Sequence, residues 1–265
     1  MAQAVAVPHQ RGFRSTLRTD AWWFEPALTA LSIAIFFGWL SISIVLDTWK
    51  FEVGPYLSPI FEPKFFNAND SIFISPAMIV LLGPVPFRAT CYYYRRAYYR
   101  SFFLSPPACA VGDVASTFKG ESRIPFIVQN LHRFAMYGAL LFVPVLWYGA
   151  AKSFYNSESI VNGQAASTGF GVGLGSILLV VNAFCLMMYS FSCHSLRHFV
   201  GGGLNCFSCS KWTQARKSVW DRVTQFNTRH RFWAWTSLLV IVGTDIYIRL
   251  VANQFITDPN TWKGF

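Results

Sequence analysis

The nineteen residues from Phe191 to Cys209, FSCHSLRHFVGGGLNCFSC, hold two of the five histidines and three of the six cysteines of this 265-residue chain. His194 and His198 stand at i and i+4, so on a helix both imidazoles leave one face, a turn apart, and can share a metal ion. Thiolates to complete such a site are available in several places. Cys206 and Cys209 form a CxxC just beyond and would make a Cys2His2 zinc site. Cys91 and Cys109, far upstream, would complete with the same histidines the donor set of a Rieske-type two-iron cluster, two thiolates on one iron and two imidazoles on the other. Cys193 is a substitute ligand, pointing about 100° around the helix from His194. The bland alternative is a pair of interfacial histidines among basic neighbours. Rigidity favours Cys91 and Cys109: the first ends a proline-broken segment and the second follows a Pro-Pro, whereas the CxxC trails three glycines.

A second histidine pair, His132 in IVQNLHRFAMY and His230 in NTRHRFW, is set beside Arg133 and Arg229. A His can donate to a quinone carbonyl while an Arg stabilises the developing negative charge, which makes these four residues a candidate quinone site. Snorkelling at helix ends and axial ligation of a haem b are the rival readings. A two-haem protein needs axial ligands in both halves of the membrane, and the expected outer half has no histidine. Asp245 and Arg249, one turn apart, are natural partners for each other, and Asn182 is expected to bond across helices.

The elements that must position these residues follow from composition. With 53% hydrophobic residues and only 13% charged, the chain reads as an all-α integral membrane protein, residues 1–265 forming a single membrane domain. Apolar runs long enough to span a bilayer occur at about 27–46, 72–92, 134–151, 170–192 and 232–251, a bundle of five transmembrane helices. Pro76, Pro84 and Pro86 predict a kinked or partly unwound second span, and glycines at 169, 171, 173 and 175 predict close helix packing in the fourth. The first 26 residues lack a signal-peptide pattern and read as a retained tail. Seventeen of the 22 Lys and Arg fall in that tail, in 88–133 and in 197–231. By the positive-inside rule the N-terminus and the loops 93–133 and 193–231 are cytoplasmic, and the C-terminus is outside. The net charge of +10 then reflects topology and suits anionic phospholipid or an acidic partner; no nucleic-acid motif accompanies it. Thiols on a cytoplasmic face are expected to be free or ligating. The segment SKWTQARKSVWDRVTQFNTRHR is expected to form a surface helix.

The segments TCYYYRRAYYRSFFLSPPACAV, QNLHRFAMY, CHSLRHFVGG and NTRHRFWAWTSL, in this order on five spans, resemble the single-chain membrane anchor of succinate dehydrogenases and fumarate reductases, in its actinobacterial variety. The resemblance covers nearly the whole chain from about residue 20. It implies residence in the plasma (inner) membrane and assembly with a flavoprotein subunit that oxidises succinate and an iron-sulfur subunit that delivers electrons. A small extra membrane subunit is compatible with it. It also implies reduction of menaquinone. Five-span anchors commonly hold two haems b, which the histidine placement here does not supply; the mycobacterial kind is similar in using a Rieske-type [2Fe-2S] centre. Cys91, Cys109, His194 and His198 are the expected ligands.

Overall fold

A computed structural model describes residues 18–45, 49–64, 76–105, 107, 122–124 and 126–263. Four helices are long and apolar enough to cross a bilayer: Phe24–Ile44, Ile127–Lys152, Leu174–Phe191 and His230–Ala252. They lie within α1 (Phe24–Val45), α4 (His132–Lys152, entered through a 3-10 turn at Phe126–Leu131), α5 (Leu174–Phe191) and α8 (His230–Ala252). α5 is the central helix and packs against both α4 and α8.

The chain returns from one end of the bundle to the other between residues 64 and 90 without a continuous helix, which corrects the expected span 72–92. A 3-10 segment, Pro76–Leu82, leads into the short α2 (Pro84–Ala89); the chain breaks at Thr90 and Cys91 and resumes as α3 (Tyr92–Tyr99). Proline supplies no N–H and crowds the preceding turn, so this segment cannot keep an uninterrupted ladder. The break is covered by backbone. A Cβ on Gly83 would come 2.7 Å from the Gly138 carbonyl carbon, and one on Gly138 would come 2.7 Å from the Leu82 oxygen. Two glycines thus let the broken segment lie directly on α4.

One end of the bundle, the basic end, carries α3, α6 (His194–Gly201) and α7 (Lys211–Asn227). α7 begins at a capping box between Ser210 and Thr213. The opposite end is a cap of three antiparallel strand pairs, each strand two residues long: β1 (Glu52–Val53) with β2 (Tyr56–Leu57), β3 (Tyr155–Asn156) with β6 (Gly169–Phe170), and β4 (Ile160–Val161) with β5 (Gln164–Ala165). The all-α expectation is corrected to this extent. The fourth-span glycines receive cap side chains instead of another helix: a Cβ on Gly175 would meet the Tyr56 ring at 2.7 Å, and one on Gly171 the Trp262 ring at 2.4 Å.

Two buried carboxylates fasten the cap end. Asp245 accepts from Trp39 Nε1 at 2.6 Å, from the Ser58 hydroxyl, and from Arg249 Nε at 3.0 Å, which joins α1, the cap and α8 and bears out the expected pair. Asp258 accepts from Tyr56 at 2.8 Å, Tyr247 at 2.6 Å and the Gly175 amide at 3.0 Å. Asn182 does not bond as expected, its amide nitrogen being buried without a partner among the described residues.

Glu62 is the exception in the cap. Its carboxyl is buried, lies where a Cβ on Gly149 would be, and accepts no hydrogen bond. Burial pushes its pKa up to about 7 against the opposing pull of Lys152. The folded chain therefore holds a proton that the unfolded chain releases near the ordinary carboxylate value, and this stabilisation, present at low pH, is lost as pH rises through about 7. Thermal melts in detergent should show stability falling between about pH 5 and 8 by on the order of 3 kcal/mol at most, and Glu62→Gln should remove most of that slope.

Candidate functional site

Four helix termini meet at the basic end, and each contributes one chemically active side chain. Thr90 closes α2, its amide bonding back to the Arg88 and Pro86 carbonyls, and leaves Cys91 in the break before α3. Ser192 closes α5 in the same way and leaves Cys193, in extended conformation, as the N-cap of α6. His132 opens α4 and His230 opens α8. Both passages toward this end thus finish in a hydroxyl residue followed by Cys, and both helices leading away begin with His-Arg.

The side chains cross-connect. Thr90 Oγ1 lies 2.9 Å from His132 Nδ1, and Ser192 Oγ lies 2.7 Å from His230 Nδ1. Each hydroxyl already donates its proton to a carbonyl of its own helix, Thr90 to Pro86 at 2.7 Å and Ser192 to Tyr189 at 3.1 Å. Neither has a second proton to give, so each imidazole must be the donor, with its hydrogen on Nδ1. The bare Nε2 atoms are thereby turned toward sulfur: His132 Nε2 is 3.4 Å from Cys193 Sγ, and His230 Nε2 is 3.9 Å from Cys91 Sγ. An aromatic ring lies flat against each imidazole, Phe87 on His132 at 4.8 Å and Tyr189 on His230 at 5.1 Å. Cys91, Cys193 and His230 are each 4% exposed or less.

All four donors line one cavity of about 440 Å³, together with His194 and Asn227. The N-termini of α4 and α8 open into it, and their dipoles favour negative charge there. Burial pushes the Cys193 thiol up to about 11. Among the described residues no three His, Cys, Asp or Glu side chains surround a single point as one metal ion requires. The donors stand instead as two thiol–imidazole pairs.

The expected ligand set is regrouped. Cys91 is in the site, and Cys109 lies outside the described residues. His194 and His198 face each other with their Nε2 atoms 3.0 Å apart on α6. His194 borders the cavity, its pKa lowered by partial burial and by His198 and Arg197, while no shared thiol joins the pair. Cys206 and Cys209 are joined in a disulfide, which corrects both the zinc reading and the expectation of free thiols. Of the expected quinone residues, Arg133 and Arg229 are exposed, and both ring nitrogens of His132 and His230 are engaged by hydroxyl and thiol.

A second cavity, of about 360 Å³, adjoins the first through Tyr92 and Tyr93. α1 supplies Glu25 and Thr29 to it, and α8 supplies Arg231 and Trp235. Arg100 completes its polar wall, and Arg231 pairs with Glu25 at 2.5 Å. The ring of Tyr93 is 5.6 Å from that of His230.

A helical membrane anchor with a buried thiol–imidazole centre at one end is the class that this fold and site define. The profile of actinobacterial succinate dehydrogenase subunit SdhC matches residues 24–254, and the chain belongs to that family. It is similar to a chain of the Mycobacterium smegmatis Sdh1 complex in the apo form, at 36% identity with a TM-score of 0.77, over 98% of this chain and 99% of that one. No match is found among curated proteins. The protein is accordingly a multi-pass protein of the inner membrane.

In protein stripped of iron with a chelator, Cys193 should react with iodoacetamide at pH 8 about a hundredfold more slowly than an exposed thiol, because so little thiolate is present. The rate, followed by mass spectrometry of the labelled peptide, should climb as pH approaches about 11.

Proposed function

We propose that Cys91, Cys193, His132 and His230 hold a Rieske-type [2Fe-2S] cluster and that this subunit reduces menaquinone with electrons from succinate. The reading is carried by two imidazoles whose Nδ1–H atoms are committed to hydroxyls and whose bare Nε2 atoms face two buried thiols. Two thiols and two such nitrogens around one cavity are the Rieske donor set, and outer hydroxyls that fix the ligating tautomer are what metal-bound histidines ordinarily have. When bound, such a cluster supplies one-electron transfer at a potential raised by its imidazole ligands. Cys193 takes the place expected for Cys109. A haem b is disfavoured because sulfur stands within 3.9 Å of each Nε2, where a haem iron would have to sit.

Each remaining residue has a definable task. Thr90 and Ser192 hold the imidazoles in one tautomer, and Phe87 and Tyr189 keep water from their faces. The cavity of Tyr93, Trp235, Arg100 and Arg231 suits a quinone head group, with hydroxyls to donate to a carbonyl and guanidinium groups to stabilise the reduced oxygen. The match to the Sdh1 complex supports assembly with iron-sulfur and flavoprotein subunits. The concentration of Lys and Arg supports a cytoplasmic basic end, where such partners would dock.

Low-temperature EPR of the purified, succinate-reduced complex should show a Rieske-like signal. Cys193→Ala should abolish it and lower quinone reduction at least tenfold while sparing succinate oxidation with an artificial acceptor; His198→Ala should leave the signal in place. The reverse pattern, or a haem α-band in reduced-minus-oxidised spectra, would overturn the ligand set. Arg231→Gln together with Tyr93→Phe should raise the KM for quinone about tenfold, the loss of roughly one charge-assisted hydrogen bond, with the EPR signal unchanged.

A further inference from the structure

Two arginines are buried in the bundle, and only one has a carboxylate. Arg249, 3% exposed, is paired with Asp245. Arg88, 2% exposed on α2, takes part in none of the ion pairs among the described residues. Its Nη1 donates to the Tyr94 hydroxyl at 3.0 Å and to the Ala234 carbonyl at 3.4 Å, and its Nη2 has no hydrogen-bond partner among them. The faces of Tyr189 and Phe36 lie 4.9 and 5.8 Å from the guanidinium carbon. Aromatic faces and neutral oxygens only partly offset the removal of a full charge from water, and inside a membrane the deficit is larger. A guanidinium cannot escape by losing its proton. Nor does Arg88 serve the cap or the basic surface.

Its surroundings indicate which negative charge is meant for it. The Arg88 carbonyl accepts the Cys91 amide at 3.0 Å, so the two residues are one short turn apart. The guanidinium is within electrostatic reach of Cys91 and of Tyr189, and the ring of Tyr189 is the one that stacks on His230. Two of the four proposed ligands therefore border this cation, directly or through one ring.

We infer that Arg88 is a positioning residue that acts as the fixed counter-charge of the redox centre at Cys91 and His230, stabilising the negative charge added there on one-electron reduction and so raising the centre's reduction potential. The electron comes from the iron-sulfur partner, and no bond or proton changes at Arg88 itself. The inference rests on the proposed ligand set.

A redox titration of the EPR signal in the intact complex tests it. In Arg88→Met the equilibrium constant for reduction should fall at least tenfold, which is 59 mV for one electron. Arg88→Lys, which keeps the charge without the planar fork, should recover most of that loss. Tyr94→Phe, which removes the hydroxyl partner and keeps the cation, should lower thermal stability without moving the midpoint. If the methionine variant does not assemble, Arg88→Gln carries the same expectation, since it drops the charge and keeps a donor. A midpoint within threefold of the unmodified complex in the uncharged variants would overturn the inference and reduce Arg88 to a brace between α2 and α8. Absence of a Rieske-like signal from the unmodified complex would instead remove the ligand set on which the inference stands.

Discussion

A hydroxyl group has one proton, and the site depends on where Thr90 and Ser192 spend theirs. Each donates to its own helix, as side chains near a helix C-terminus readily do. The lone pairs that remain can only accept, which places a hydrogen on Nδ1 of His132 and of His230 and a lone pair on each Nε2. Local helix-ending chemistry thus sets the chemistry of two side chains far away in sequence. The flat contacts of Phe87 and Tyr189 then hold the rings so that those lone pairs meet sulfur.

That arrangement requires the second passage to end early, and the membrane allows it only under protection. A continuous helix through residues 84–99 would carry Cys91 past as one more position on a cylinder. The break at Thr90 presents it instead from a loop-like corner, as Cys193 is presented between α5 and α6. Freed backbone groups are tolerated at membrane depth when protein covers them. The contact between Gly83 and Gly138 provides that cover and also brings α2 close enough to α4 for Thr90 to reach His132. At the other end Asp245 and Asp258 gather the cap, α1, α5 and α8, so the bundle is closed by buried polar bonds where its apolar packing runs out.

Much of this was legible in order of physical scale. Apolar length located four of the helices to within a few residues, and the prolines marked the passage that breaks. The Asp245–Arg249 pair followed from helical spacing alone. The site was half legible: Cys91 stood out by its rigid setting, but the histidines were assigned by i,i+4 spacing, a rule about neighbours on one helix. His194 and His198 do meet, on the surface of α6, whereas the centre takes one residue from each of four different helix ends. A repeated signal was present, Thr90-Cys91 and Ser192-Cys193 closing two passages and His132-Arg133 and His230-Arg231 opening two others. It becomes visible only when helix ends are compared with one another.

The sequence by itself determined a membrane protein, its helical extents, its asymmetry of charge and a resemblance to one family, because these depend on composition, periodicity and local motifs. Which cysteine meets which histidine was decided only by tertiary structure. Cys193 and His132 are 61 positions apart, and Cys91 and His230 are 139 apart. Spacing along a chain does not encode such a distance; it arises from helices of particular length turned back on one another, with a glycine contact setting their separation and hydroxyl bonds setting the angle of each ring.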